Sequence, residues 1–161
     1  MCSSNENILL VYGEGGHYAQ MNIFANKLKE SLSSYNFITF SDMETIPIWS
    51  NKHYKTEEFR NKYSNIKIFT RLAPIIILIN TFRLLRKHKF KVIISTGPGI
   101  AISAGIAAKL FRVKIIHIET WSRFYSKSFT GRIMYKLADK FYVQNEELLK
   151  IYPKAIYSGR L

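Results

Sequence analysis

A single cysteine, Cys2, stands among 161 residues, so the chain can form no internal disulfide and no thiolate cluster to hold a metal. That scarcity fits a reducing compartment. Acidic residues are also few, 11 against 24 lysines and arginines, which leaves a formal charge of +13. The N-terminal stretch "MCSSNENILLVYG" has neither the basic start nor the apolar length of an export signal, and only seven residues precede the first apolar run. No apolar run approaches the roughly 20 residues that span a bilayer. The Gly-Lys-Ser/Thr of a Walker loop is missing, and Tyr18 stands where a dinucleotide-binding loop needs its third glycine. Both nucleotide readings are therefore excluded, and the residues imply neither a cofactor nor a metal.

What is present is the composition of a folded domain, 47% hydrophobic and 22% charged. The charge is unevenly placed: residues 1–80 hold 8 Lys and Arg against 7 Asp and Glu, and residues 81–161 hold 16 against 4. The second half thus calls for an anionic counterpart, whether phosphate, nucleic acid or an acidic membrane leaflet, or else carries solvated charge that keeps the protein soluble. Nucleic acid fits least. No helix-turn-helix, zinc or RNP signature is found, and many of the basic residues flank an apolar helix.

Short apolar runs at 8–12, 37–40, 66–69, 91–96, 114–119, 140–143 and 155–158 alternate with helical stretches at 17–32, 74–89, 99–111, 128–138 and 145–151. Runs rich in Ile and Val without polar alternation suit strands covered on both faces. The pattern predicts a single α/β domain over 1–161, Rossmann-like and doubly wound, with a mostly parallel sheet. Residues 42–65 show no clear period and read as a long loop.

In this class of fold, ligands gather at the carboxyl ends of the strands, so the strand-to-helix loops are the suspects. The first holds Gly13, Glu14, Gly15, Gly16 and His17, where glycines allow close approach and helix amides can hold an anion. His17 is open to two roles there: a neutral general base kept so by the helix dipole, or a cap packed under the loop. The second loop holds Ser95, Thr96, Gly97, Pro98 and Gly99, whose hydroxyls suit phosphate or sugar, or whose turn serves only tight packing. In the third, Glu119 ends an apolar strand and needs a partner, either Arg123 or substrate hydroxyls, with Arg123 then meeting phosphate. Trp121, Phe124 and Tyr125 nearby offer flat faces for sugar or lipid, or else belong to the core.

In "RLAPIIILINTFRLLRKHKFK" (71–91), Pro74 reads as the first helical residue and Ile75 to Ile79 leave no polar face. With Arg83, Arg86 and Lys87 beside Ile75, Ile76, Leu78, Ile79 and Phe82, the segment reads as a helix lying on anionic lipid, or as a crossover helix with a basic end.

"GEGGH", "ISTGPGIAISAGIAAKL", "IHIETWSRFYSKSFTGRIMYKLADKFYVQ" and the closing "YSGRL" together resemble the ALG-fourteen-like family of asparagine-linked glycosylation, which includes the bacterial PssD and CpsF proteins of polysaccharide biosynthesis. The family is also similar to MurG, whose first glycine-rich loop ends in Gly-Gly-His, as here at Gly15, Gly16 and His17. The resemblance implies the acceptor-binding half of a GT-B glycosyltransferase, peripheral on the cytoplasmic face of a bacterial plasma membrane. A separate PssE/CpsG-like subunit then supplies the UDP-sugar, which passes with inversion to a polyprenyl-pyrophosphate-linked saccharide. It further implies that Gly13 to His17 and Ser95 to Gly99 line the pyrophosphate pocket, with His17 the base and Glu119 orienting the acceptor sugar or the base. A noncatalytic membrane anchor and activator of a catalytic partner is the alternative. The eukaryotic relatives carry an N-terminal membrane helix, so attachment here falls to the 74–89 helix or the partner; Thr120 also departs from the serine common beside the loop tryptophan.

Overall fold

A computed structural model of the chain describes residues 6–57 and 67–161. Seven parallel strands form one sheet in the order β3-β2-β1-β4-β5-β6-β7. They are β1 (Asn7–Tyr12), β2 (Asn36–Ser41), β3 (Lys52–Lys55), β4 (Phe90–Gly97), β5 (Lys114–Ile118), β6 (Lys140–Val143) and β7 (Ile156–Tyr157). The central strands are apolar on both faces because both are covered. Ile8 to Tyr12 are all buried in β1, and Leu9 lies in register with Ile38 on one side and Ile93 on the other.

The helices are α1 (Gly16–Ser31), α2 (Lys67–Lys87), α3 (Ile100–Leu110) and α4 (Phe129–Leu137), with a 3₁₀ turn at Glu146–Lys150. One face of the sheet packs Ile8, Leu10, Tyr12, Phe37 and Ile94 against Met21 and Ala25 of α1. The other packs Leu9, Val11, Ile93 and Ile115 against Ile77 of α2, Ile100 and Ala104 of α3, and Met134 of α4. The sheet is therefore doubly wound, as the alternation of patterns predicts. The small residues of α3 let helices approach closely: a Cβ on Gly105 would lie 3.2 Å from the sulfur of Met134.

Three expectations are corrected. The run at 66–69 is not a strand, because residues from Lys67 onward belong to α2; residue 66 lies outside the described residues. The third strand is instead Lys52–Lys55, within the stretch read as a loop. Its polar residues alternate poorly because it is an edge strand, half in water. Pro74 does not open a helix but sits inside α2, which costs one backbone hydrogen bond. Its carbonyl accepts the Ser103 hydroxyl at 3.1 Å, tying α2 to α3.

Candidate functional site

The strand order reverses between β1 and β4, so the loops that follow these two strands flank the switch point of the sheet. They interlock. The Gly13 amide donates to the Gly97 carbonyl at 3.1 Å. A Cβ on Gly13 would fall 2.4 Å from Cδ of Pro98, so only glycine allows this approach. Gly15 (φ 75°) caps α1 and Gly99 caps α3, neither with a side-chain hydrogen bond. Helix N-termini leave their first amides without intrahelical partners, and those of α1 and α3 follow these two loops, although at α3 the Ala101 and Ile102 amides donate to the Pro98 and Gly99 carbonyls at 3.0 Å. The Glu14 amide, by contrast, is taken by Asp42 Oδ1 at 2.9 Å. Asp42 directly follows β2, and no local motif in the sequence marks it.

His17 joins the two loops. Its Nδ1 lies 2.7 Å from the Thr96 carbonyl, and the Thr96 hydroxyl donates back to the His17 carbonyl at 3.0 Å. A carbonyl only accepts, so Nδ1 carries the hydrogen, and in a neutral ring Nε2 then holds the lone pair. The ring packs against Gly97 (φ 91°), where a Cβ would stand 2.9 Å from Cε1. Gly15 stands at the N-cap of α1, and the Thr96 carbonyl holds Nδ1 of the imidazole. Ser95 and Thr96, expected to offer hydroxyls to phosphate or sugar, are turned inward: Ser95 Oγ accepts the Gly97 amide at 3.1 Å, bracing the turn. Behind them His117, buried in β5 beside Ser95, has its pKa pushed down to about 3 by burial and, secondarily, by His17. The sequence signal for it was a lone histidine inside "KIIHI".

Glu119 is buried, and its partner is not Arg123. Its carboxylate accepts the Thr120 amide at 3.0 Å, the Ser128 hydroxyl at 3.0 and 3.2 Å, and the Tyr152 hydroxyl at 3.0 Å. Ser128 in turn caps α4 by accepting the Gly131 amide at 2.8 Å. The backbone carbonyl of Glu119 receives the Gln144 amide at 2.9 Å. Burial and these donors make Glu119 an organiser of the 119–131 loop. Burial and the Glu119 carboxylate together raise the Tyr152 phenol well above its ordinary pKa. Arg123 is exposed and donates to Ser126 at 3.2 Å, while Asn145 fixes the loop through the Trp121 carbonyl at 2.9 Å. Trp121 is half-buried, and Phe124 and Tyr125 are exposed.

The membrane-facing set expected on α2 divides. Ile75, Ile76 and Ile79 are exposed, as are Arg83, Arg86 and Lys87, whereas Leu78 and Phe82 pack inward, Phe82 edge-on to Phe111 at 5.2 Å. Leu72 adds a further exposed apolar residue. His88 and Lys91 are drawn away from that basic flank, His88 by the Tyr54 hydroxyl and Lys91 by Glu6. Among the described residues no helix is long and apolar enough to cross a membrane, and no group of three His, Cys, Asp or Glu side chains could hold a metal.

Solved structures share this fold. MurG of Acinetobacter baumannii superposes with a TM-score of 0.65 at 14% identity over 98% of this chain, and the UDP-GlcNAc 2-epimerase of Methanocaldococcus jannaschii with 0.69 at 12% over 96%. This chain spans less than half of either, 44% and 45%. It is similar to the UDP-N-acetylglucosamine transferase subunit ALG14 of Rattus norvegicus, 24% identical over 96% of this chain and 82% of that protein. The subunit of the same name from Kluyveromyces lactis is 28% identical over 96% and 78%. The family model described as "Oligosaccharide biosynthesis protein Alg14 like" matches residues 8–161, and the chain therefore belongs to the Alg14-like family.

Proposed function

We propose that this chain is the acceptor-side subunit of a two-component glycosyltransferase. With a donor-binding subunit of the PssE/CpsG type, it transfers a sugar from a UDP-sugar to a polyprenyl-pyrophosphate-linked saccharide at the cytoplasmic face of a bacterial plasma membrane. The observation that carries this reading is His17, locked between the two switch-point loops by Thr96 in the tautomer a base requires. The names of the ALG14 relatives, each a subunit of a UDP-N-acetylglucosamine transferase, support the same class of reaction.

In this reading the pyrophosphate of the acceptor rests on the N-termini of α1 and α3, with exposed Arg123 available to a phosphate oxygen. The acceptor hydroxyl gives its proton to Nε2 of His17 as its oxygen attacks the anomeric carbon. The bond to UDP breaks with its electron pair, the configuration inverts, and the imidazolium is stabilised through Nδ1–H on the Thr96 carbonyl. Glu119 contributes by holding the loop that carries Arg123. The exposed isoleucines of α2 enter the interfacial region of the membrane while Arg83, Arg86 and Lys87 meet anionic headgroups.

The test is reconstitution with the donor-binding subunit, UDP-sugars and a lipid-linked acceptor. His17→Ala lowers kcat by about two to four powers of ten while leaving assembly of the complex intact; unchanged turnover refutes the base role. A second reading, a noncatalytic anchor and activator, is favoured by the exposed face of α2 alone. It gains if the donor-binding subunit, given a soluble acceptor, already works at full rate without this chain.

A further inference from the structure

A groove of about 1060 Å³ runs beside α4, β6 and β7, apart from the switch-point loops. Five cations line it, Lys127, Arg132, Lys136, Lys140 and Lys154, against one carboxylate, Asp139. That carboxylate is already engaged, by Lys109 at 3.1 Å and by the Ile115 amide at 2.8 Å. None of the five belongs to an ion pair found among the described residues. Lys127 lies over the Tyr152 and Tyr135 rings at 5.0 and 5.9 Å, and the concentration of one sign of charge around the recess gives it a positive potential that favours an anionic occupant.

The groove also has a border that can donate and accept. Ile156, in its lining, belongs to β7, the end strand of the sheet, whose outer edge has no neighbouring strand among the described residues, and Ile156 and Tyr157 are both exposed. An open strand edge pairs with extended backbone. The floor rings are closed to stacking: Phe141 and Tyr152 are buried with centroids 4.8 Å apart, and Tyr135 packs at 4.9 Å from Tyr152. Bases therefore find no platform, and a flat bilayer cannot enter a recess or bond to a strand edge.

We infer that this groove is the docking site for an acidic, extended segment of the donor-binding subunit, its carboxylates set against the five cations and its backbone added to β7. The identity of the partner rests on the function proposed above; the chemistry of the groove does not. Docking bears on the loop as well, because Tyr152 in the floor donates to Glu119, and Lys127 in the wall, 5.0 Å above the Tyr152 ring, adjoins Ser128.

The experiment titrates the ¹⁵N-labelled chain with a peptide of alternating Glu and Val, with the same peptide carrying proline at every second Val, with phosphatidylglycerol vesicles, and with a single-stranded oligonucleotide. The Glu-Val peptide should bind in a salt-sensitive manner and shift the amides of Ala155, Ile156 and Tyr157, and the proline peptide should not. The exposed triple variant Lys136→Glu, Lys140→Glu, Lys154→Glu should weaken binding by about tenfold or more, while Lys→Arg at the same positions retains it. The inference is overturned if both peptides bind alike, if the shifts fall elsewhere, if charge reversal changes nothing, or if only vesicles or the oligonucleotide respond to it. An active two-component transferase whose assembly ignores the charge reversal sinks the groove and spares the function. Peptide capture at β7 with no partner that yields transfer does the opposite.

Discussion

Gly131 offers the sharpest measure of how tightly the third loop is built. A Cβ there would stand 1.8 Å from Oε2 of Glu119, 2.6 Å from the Tyr152 hydroxyl and 2.8 Å from Oγ of Ser128. All three atoms belong to one hydrogen-bonded group. The carboxylate ends a flexible side chain and can withdraw, so the cost of Gly131→Ala is that of the bonds it abandons. Each hydrogen bond to a buried charged group contributes about 1.5–3 kcal/mol, and withdrawal loses those from Tyr152 and Ser128. We expect about 3–5 kcal/mol, a large part of the roughly 5–15 kcal/mol that holds such a domain together, and a Tm lower by about 6–20 °C. Urea titration and calorimetry measure it. Glu119→Ala removes the obstructing atom, so adding Gly131→Ala to it should cost far less than Gly131→Ala alone. A Gly131→Ala protein within about 0.5 kcal/mol of the parent would refute this account of Glu119.

At the first loop, Gly13→Ala drives a methyl group to 2.4 Å from Cδ of the rigid Pro98 ring and should cost about 1–3 kcal/mol. Turnover in the reconstituted transferase should fall with it, and stability or turnover equal to the parent contradicts the interlocking of the loops. His117 is held neutral when folded, to about pH 3, but ionises near pH 6.5 when unfolded. Its contribution is present above pH 6.5 and is lost as pH falls below it, by about 1.4 kcal/mol per unit. Denaturation midpoints between pH 7 and 4 should drop less steeply in His117→Met, and parallel curves would show that another group carries the acid sensitivity. On α2, Ile75→Glu with Ile79→Glu should leave stability within about 0.5 kcal/mol, both sites being exposed, yet abolish flotation with phosphatidylglycerol vesicles. Flotation equal to the parent removes α2 from the membrane.

The central architecture was legible because β1, β4 and β5 are largely buried on both faces and write that burial as short runs of Ile, Leu and Val, "ILLV", "VII" and "II". Edges were not. Lys52–Lys55 carries two lysines and a histidine around its one aromatic, Tyr54, and looks like a loop, while "IKIF" looks like a strand because a helix turn and a short strand share the same apolar residues. Convergence of the first two loops could be anticipated from the fold class, but not the direction of their side chains. The sequence leaves Ser95 and Thr96 open as ligand groups or as parts of a tightly packed turn, and the structure gives the second use: the turn at Gly97 consumes one hydroxyl and the His17 carbonyl the other. Glu119 announced its need for a partner, and Arg123 was the nearest in sequence. The partners lie at Ser128 and at Tyr152, 33 residues away, a distance no local pattern reveals.

The reciprocal bonds between His17 and Thr96 join residues 79 apart in the chain, on loops rooted in two interior strands. Partial openings that peel away the outer strands β3 or β7 therefore leave that junction in place, and it dissolves only when the middle of the sheet does. Amide exchange at its base should run near the rate of global unfolding, and mild heat should strip the periphery of the molecule long before it disarms the histidine.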